Sequence, residues 1–265
     1  MVQKSNFVLI RIHNPMAGHS KWANIKRRKS AQDNRRAKIF TRLIKEISIA
    51  VKESRSGLEN NSRLRSALAN AKGANIPKET IDRVIKKASG SDAENYQEIT
   101  FEGYGPHGIA IFIECTTDNP TRTISNVRAI FNKNNGSLGK NGELIFIFDR
   151  KGVFSFQKDM IDRPIEDFEL EMIEGGADEI TMEEDLITVY TRFEDFTYLQ
   201  NQLEKLGIEP NSAILERIPK ATKTLPLEAA KKILGLIDRF EANEDVQNIY
   251  HDLEMTEELE DNLNK

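Results

Sequence analysis

Apolar residues in the first part of the chain recur at the three- and four-residue spacing of an amphipathic helix. One such stripe consists of Phe40, Leu43, Ile44, Ile47 and Val51. A second helix is predicted to begin near Ser62 and to break at Gly73, and a third begins at Pro77, a residue suited to the first turn of a helix. Three short amphipathic helices with short connections predict a small helical bundle.

After residue 91 the pattern changes to short runs of β-branched and aromatic residues that alternate with helical segments. The run 109–115 is a strongly apolar strand, and residues 120–133 have the spacing of a helix with one buried side. A loop rich in Gly and Asn, 134–142, precedes strands predicted at 143–149 and 152–157.

From residue 152 to 218 the predicted order is strand, helix, strand, strand, helix, strand, which is the order of a ferredoxin-like domain. Its last strand is placed at 208–218. A helix at 226–241 and a short strand around Ile249 and Leu253 are predicted to return to the sheet that begins after residue 91. The predicted fold class is therefore α+β, with a small N-terminal helical domain and two α/β domains, one of ferredoxin-like βαββαβ order.

These patterns divide the chain into five parts. The predicted parts are a disordered extension at 1–15, a basic helical domain at 16–90, a discontinuous α/β domain at 91–150 with 219–253, a ferredoxin-like domain at 151–218, and a frayed acidic tail at 254–265. Met16-Ala17 would make an ordinary start, so residues 1–15 are interpreted as a short extension ahead of it. The alternative is a mitochondrial presequence, since the extension holds two basic residues and no acidic one.

Charge is divided unevenly along the chain, although the net charge is only -4. Residues 16–90 hold 19 Lys and Arg against 6 Asp and Glu, whereas residues 91–265 hold 17 against 36. A concentration of uncompensated cations favours a polyanionic partner, since the like charges otherwise repel one another. The alternative is a solvated helical surface with incidental charge.

Several classes of protein are disfavoured by what the chain lacks. The single cysteine, Cys115, excludes an internal disulfide and any metal site of several thiolates, and the four histidines lack metal-ligand spacing. No apolar run approaches the ~20 residues of a membrane-spanning helix. We therefore expect a cytoplasmic protein with no metal, no cofactor and no membrane contact.

The sequence motifs that suggest catalysis lack the neighbouring residues or elements that such sites require. The GxGxxG match from Gly103 to Gly108 has a strand after it instead of a helix, so a hairpin turn is the better interpretation. Around Gly139-Lys140 the glycine and hydroxyl positions of a phosphate-binding loop are missing. Cys115 lies in an apolar strand, where a buried and inert thiol is expected. No catalytic residue and no small-molecule substrate are assigned, and the chain is predicted not to be an enzyme.

The predicted nucleic-acid contacts lie in one dense basic segment, because Arg and Lys in close array bind phosphates and release counterions. The assigned residues are Lys21, Trp22, Lys26, Arg27, Arg28, Lys29, Arg35, Arg36, Lys38 and Arg42. Trp22 either stacks on an unpaired base or pins the segment to its own domain. Further cations that could extend this surface are Arg63, Arg65, Lys72, Lys78, Arg83, Lys86 and Lys87.

Several of these segments together resemble the YebC/PmpR family. They are the opening run 16–26, the segment 64–77, Tyr104-Gly105-Pro106, the segment 114–119 with Arg122-Thr123, and Gly136–Gly139 with Arg150–Val153. The resemblance covers about 16–250 and implies a three-domain fold and a cytoplasmic, probable transcriptional regulatory protein that binds DNA. Mitochondrial relatives are translational activators, and bacterial relatives are linked to ribosomes stalled on proline-rich sequences. His107 stands where relatives often carry Gly.

The sequence thus predicts a non-enzymatic, nucleic-acid-binding regulator of gene expression with DNA, ribosomal RNA or the ribosome as its partner. The resemblance favours DNA binding and transcription regulation. The alternative is a ribosome- or RNA-binding translation factor, which is favoured slightly on physical grounds because no clear helix-turn-helix with a polar recognition helix is present. The loop 134–142 with Lys140 is either a second contact or simply a flexible connection.

Overall fold

The computed structural model describes residues 32–53, 61–90, 95–183 and 185–263, with side chains from residue 37 onward. The predicted extension at 1–15 lies outside the described residues. So do six of the assigned contacts, Lys21, Trp22, Lys26, Arg27, Arg28 and Lys29. The backbone of Arg35 and Arg36 is helical, and their side chains are not described.

The N-terminal part is helical, as predicted. It consists of α1 (Gln32–Glu53), α2 (Ser62–Gly73) and α3 (Lys78–Ala88). Asn61 caps α2, since its side-chain oxygen accepts from the Leu64 N–H at 3.0 Å. The amide nitrogen of the same side chain donates to the Ala50 carbonyl at 2.7 Å and so ties the start of α2 to α1. Ile47, Ala50, Leu64 and Ala71 form the centre of the small core.

The first sheet contains β1 (Gln97–Tyr104), β2 (Ala110–Thr117), β3 (Ser137–Leu138) and β8 (Val246–His251). Its order is β3-β1-β2-β8, and the neighbouring strands are antiparallel. Two helices, α4 (Pro120–Lys133) and α7 (Leu227–Glu241), cover one face and bury a shared core. In that core the rings of Phe131 and Phe240 pack edge to face, with centroids 4.7 Å apart.

The second sheet follows the predicted βαββαβ order. Its elements are β4 (Phe148–Gln157), α5 (Ile165–Glu174), β5 (Ala177–Glu183), β6 (Leu186–Arg192), α6 (Phe196–Leu206) and β7 (Ser212–Pro219). The strand order β5-β6-β4-β7, antiparallel throughout, is that of a ferredoxin-like sheet. The predicted α+β fold class is confirmed.

The two sheets contact each other through β7. The Arg217 guanidinium lies 3.9 Å from the centroid of the Phe112 ring and donates to the Glu114 carboxylate at 2.9 Å. The hydroxyl of Tyr250 on β8 donates to the same carboxylate at 3.2 Å. A stacked cation and a shared carboxylate therefore join the ferredoxin-like sheet to the first sheet.

Three sequence predictions about local structure are wrong. Residues 143–147 form turns instead of a strand, because the buried Glu102 carboxylate accepts from the N–H groups of Gly142 at 2.7 Å and Leu144 at 2.5 Å, which satisfies this backbone without a ladder. The strand predicted from 208 begins only at Ser212. Leu253 lies outside β8, in an isolated bridge to Lys223.

The acidic tail is also more ordered than predicted. A further helix, α8 (Glu257–Leu263), follows β8, and Leu259 is only 1% exposed because it packs into the core under α7. The apolar positions of the tail thus outweigh its acidic composition. No helix in the described part of the chain is long and apolar enough to cross a membrane.

Candidate nucleic-acid interface

On one side of α1 the cations become more buried from Lys38 to Lys45. Lys38, Arg42 and Lys45 share one side of the helix, since they are four and three residues apart. Lys38 is exposed, Arg42 is half-buried, and Lys45 is only 9% exposed. The exposed cation of this side therefore lies toward the N-terminal end of α1, the end that follows the basic segment in the sequence.

Lys45 fixes α1 to the first sheet. Its ammonium donates to the carbonyls of Thr116 at 3.2 Å and Glu244 at 2.7 Å. It also lies 4.0 Å from the Asp245 carboxylate and 5.6 Å from the centroid of the Tyr96 ring. A cation so fully engaged has a structural role, and the sequence offered no signal that distinguished it from its exposed neighbours.

Arg42 lies between these two situations. Burial lowers the pKa of its guanidinium, and the nearby Tyr250 hydroxyl acts in the opposite direction. Partial desolvation strengthens any ionic contact that this guanidinium makes, but it leaves little of the side chain accessible. The assignment of Arg42 and Lys38 to the nucleic-acid interface stays a prediction, as does that of Arg35 and Arg36.

The cations of α2 are engaged by carboxylates. Arg63 donates to Glu46 at 2.7 Å, Glu53 at 2.8 Å and Glu98 at 2.5 Å. Its pKa is raised: burial opposes the charged form, and the hydrogen bonds to Glu98 and Glu46 more than offset that. This residue joins α1, α2 and β1, and it is not available to a phosphate.

Two other α2 cations contact the ferredoxin-like part, at α6 and at the segment that follows it. Arg65 donates to Asn201 at 2.9 Å and to Glu204 at 3.4 Å, and Lys72 donates to Glu209 at 2.5 Å. Arg63 and Arg65 are therefore engaged within the protein, which counts against their part in the basic surface. Lys72 and Glu209 are both largely exposed, so this ion pair leaves the ammonium accessible, and the suggestion for Lys72 stays a prediction. Arg65 and Lys72 pair with carboxylates of the acidic body, whereas two of the three partners of Arg63, Glu46 and Glu53, lie in the basic part itself.

Helix α3 keeps an exposed charged face. Lys78, Arg83, Lys86 and Lys87 are all exposed, but Glu79 and Asp82 are exposed beside them. This face is mixed in sign and attracts a polyanion less strongly than the segment before α1.

Two of the motifs that resembled catalytic sites lie in the first sheet. Gly103–Gly108 belongs to the hairpin between β1 and β2, in which Gly105 N–H donates to the Ile109 carbonyl at 2.8 Å. Cys115 is 2% exposed, and burial raises the pKa of its thiol to about 12, with the Asp245 carboxylate as the next cause. Among the described residues no group of three or more His, Cys, Asp and Glu side chains could hold a metal ion.

The helical part lies within the basic residues 16–90, and two antiparallel sheets follow it, one of them ferredoxin-like. This arrangement defines a modular α+β protein with a basic N-terminal part and an acidic body. The chain belongs to the TACO1/YebC family. Residues 20–91 match the family description "TACO1/YebC protein N-terminal domain", and residues 96–253 match "TACO1/YebC second and third domain".

Relatives match over nearly their whole length. A "probable transcriptional regulatory protein" of Amoebophilus asiaticus is 49% identical and covers 90% of this chain and 98% of its own. The "probable transcriptional regulatory protein YrbC" of Bacillus subtilis is 48% identical, covering 89% and 98%. The crystal structure of a conserved hypothetical protein from Aquifex aeolicus matches with a TM-score of 0.77 at 36% identity, covering 89% of this chain and 98% of that one.

Proposed function

We propose that this protein is a non-enzymatic regulator of gene expression that binds nucleic acid through the basic segment before and along the start of α1. The observation that carries the proposal is the excess of 19 basic over 6 acidic residues in 16–90, beside a body of opposite sign. The relatives are named probable transcriptional regulatory proteins, which supports a regulatory role. Its place of action is the cytoplasm, where a lone thiol stays reduced.

DNA binding in transcription is the function that the relatives' names favour, and translation on RNA or the ribosome is the second candidate. One structural observation favours the second. Helix α2 is packed against β7 and α6 through Asn70 and Arg65, so it is not free to enter a major groove. Helix α3 exposes Glu79 and Asp82, whose carboxylates would face phosphates. Recognition by shape and phosphate charge, as in structured RNA, fits this arrangement better than base readout.

A competition measurement tests the proposal. The full chain is offered fluorescent duplex DNA, with intact ribosomes as competitor, at one physiological salt concentration. The test variant carries Arg27→Glu, Arg28→Glu and Lys29→Glu. The control variant carries three charge reversals on the ferredoxin-like part, Lys158→Glu, Arg192→Glu and Lys205→Glu.

We expect the test variant to lose binding by more than tenfold and the control variant to bind as the wild type does, with both circular dichroism spectra unchanged. Preference for ribosomes supports the translational candidate. Preference for one promoter duplex over unrelated duplexes supports the transcriptional one. Equal binding by all three proteins would show that the assigned segment is not the interface.

A further inference from the structure

The chain contains two stretches longer than 20 residues without any Asp or Glu. The first is 1–32, which includes the basic segment assigned above, and the second is 119–142, in the middle of the acidic body. The second stretch holds Arg122, Arg128, Lys133 and Lys140, although residues 91–265 as a whole contain 36 acidic and 17 basic residues. A local reversal of charge of this kind indicates a surface with its own anionic partner.

In the structure most of this stretch is helix α4, and its solvent side contains no carboxylate. The exposed residues of α4 are cations, neutral hydrogen-bonding residues and one alanine: Thr121, Arg122, Ser125, Asn126, Arg128, Ala129, Asn132 and Lys133. Thr123, Val127 and Phe131 are buried on the opposite side, so packing against the sheet fixes which side faces outward. The exposed side is a surface that can donate hydrogen bonds and attract negative charge along the length of the helix.

Arg122 must be set apart from the other cations of α4. Its guanidinium donates to Asp245 at 2.9 Å and to Asp118 at 2.9 Å, and Thr123 donates to the same Asp245 at 2.8 Å. Together with Lys45, this network holds the first turn of α4 against the segment before β8. Arg122 therefore positions the helix, and its charge is already compensated.

Arg128 and Lys133 have no ion-pair partner within the described part of the chain, and the same holds for Arg239 on α7. An open groove separates α4 from the C-terminal end of α7. Asn126 and Lys133 line one wall, and Arg239 and Asn243 line the other. Glu244 also lines this groove beside Asp245. Asp245 is already paired with Arg122, so Glu244 adds one negative charge to this groove. The unpaired cations Lys133 and Arg239 lie on its two walls.

We propose that the exposed side of α4 and the rim of this groove form a second binding surface for the phosphate backbone of the nucleic acid. This inference rests on the proposed function. Arg, Lys, Ser, Thr and Asn are the side chains that make most contacts with phosphate and sugar oxygens. An acidic protein fits less well, because protein interfaces have aromatic or large aliphatic anchors at their centre, and the exposed side of α4 offers only Ala129.

Salt dependence of binding tests the inference directly. Each lost phosphate contact lowers the slope of log affinity against log salt by roughly 0.7 for single strands and 0.9 for duplexes. The variant Arg128→Gln, Lys133→Gln, Arg239→Gln is compared with the wild type on a fluorescent single-stranded RNA and on duplex DNA. The Lys158→Gln, Arg192→Gln, Lys205→Gln variant controls for the change in net charge, and poly-glutamate serves as a competitor.

We expect the α4 variant to bind RNA or DNA about tenfold more weakly at low salt, with a slope reduced by roughly 2. The control should keep the wild-type slope, and poly-glutamate should not displace the nucleic acid at equal charge concentration. An α4 variant with unchanged slope, beside a wild type that binds, would overturn this inference and leave the proposed function standing. Displacement by poly-glutamate would overturn the assignment to nucleic acid. A wild type that binds neither probe would contradict the proposed function itself.

Discussion

The side-chain amide of Asn70 forms two hydrogen bonds with the backbone of Ala213. Its nitrogen donates to the Ala213 carbonyl at 3.0 Å, and its oxygen accepts from the Ala213 N–H at 2.9 Å. Ala213 lies on β7, an edge strand of the ferredoxin-like sheet, so a single side chain of α2 occupies the position of a neighbouring strand. Gly73, at the end of α2, also lies close to the segment before β7, because a Cβ added there would collide with the Asn211 carbonyl oxygen.

Replacement of Asn70 should therefore weaken the contact between the helical part and the ferredoxin-like sheet. Asn70→Ala leaves both backbone groups of Ala213 without this partner, and we expect the free energy of unfolding to fall by about 1–3 kcal/mol. Urea denaturation measures the loss. Asn132→Ala, on the exposed side of α4, is the matched control and should change stability by less than about 0.5 kcal/mol. Equal stability of the two variants would contradict the role of Asn70.

His107 and its neighbour Gly108 both have positive φ, 61° and 72°. A non-glycine residue in this region is strained by on the order of 1–3 kcal/mol. Replacement by glycine relieves the strain, but part of this gain is offset because glycine has greater chain entropy in the unfolded state. We expect His107→Gly to raise the free energy of unfolding by about 0.5–1 kcal/mol. Gly108→Ala should lower it, although no atom lies within 4 Å of an added Cβ. Thermal unfolding of both variants checks the opposite signs.

Phe146 is 81% exposed, but the turn that carries it is held from below by the buried Glu102 carboxylate. A protease must accommodate an extended segment, so this turn should resist cleavage while Glu102 is present. Loss of these two hydrogen bonds favours local opening of the turn, so we expect Glu102→Ala to increase the rate at which chymotrypsin cuts after Phe146 by about tenfold or more. Phe146→Ala in the same background removes the cut and identifies the site. A rate unaffected by Glu102→Ala would show that the turn is held by its other contacts.

The buried thiol of Cys115 predicts a specific dependence of stability on pH. Its pKa is about 12 in the folded protein, against about 8.5 for an unfolded cysteine. Below the unfolded value both states bind the proton, and stability does not depend on this group. As pH rises from 9 toward 12 the unfolded state releases the proton first, so stability falls by up to about 1.4 kcal/mol per pH unit. Cys115→Ala should lack this slope in chemical denaturation at successive pH values.

Patterns of apolar residues were enough to predict the α+β class and the βαββαβ order, because period and turn chemistry are local properties. They failed for residues 143–147, where Leu, Ile and Phe form the continuous apolar run of a buried strand. The deciding interaction there is with Glu102, about 40 residues earlier in the sequence. A buried carboxylate that takes the place of a ladder cannot be recognised from periodicity.

The positive charge of the candidate interface could be predicted from the sequence. Which cations are bound by partners within the protein could not. Arg63 and Lys45 resemble their exposed neighbours in the sequence, yet the first binds three carboxylates and the second two carbonyls. Partners of this kind are distant along the chain and become neighbours only on folding. The domain bounds drawn from the sequence and the ten assigned contacts stay predictions.

The place of β8 has a consequence for how the chain folds while it is being made. Phe148 and Pro219 begin and end the chain segment that forms the ferredoxin-like sheet, and they are paired partners on its neighbouring strands β4 and β7. That sheet can therefore close as soon as its last strand has left the ribosome. The first sheet cannot, because β2 receives its outer neighbour only when Val246–His251 has been synthesised. Until then the apolar strand Ala110–Thr117 is an open edge that can pair with another nascent chain. A premature stop before Val246 would leave a complete ferredoxin-like sheet beside a first sheet that lacks β8 and is prone to aggregate through the edge of β2.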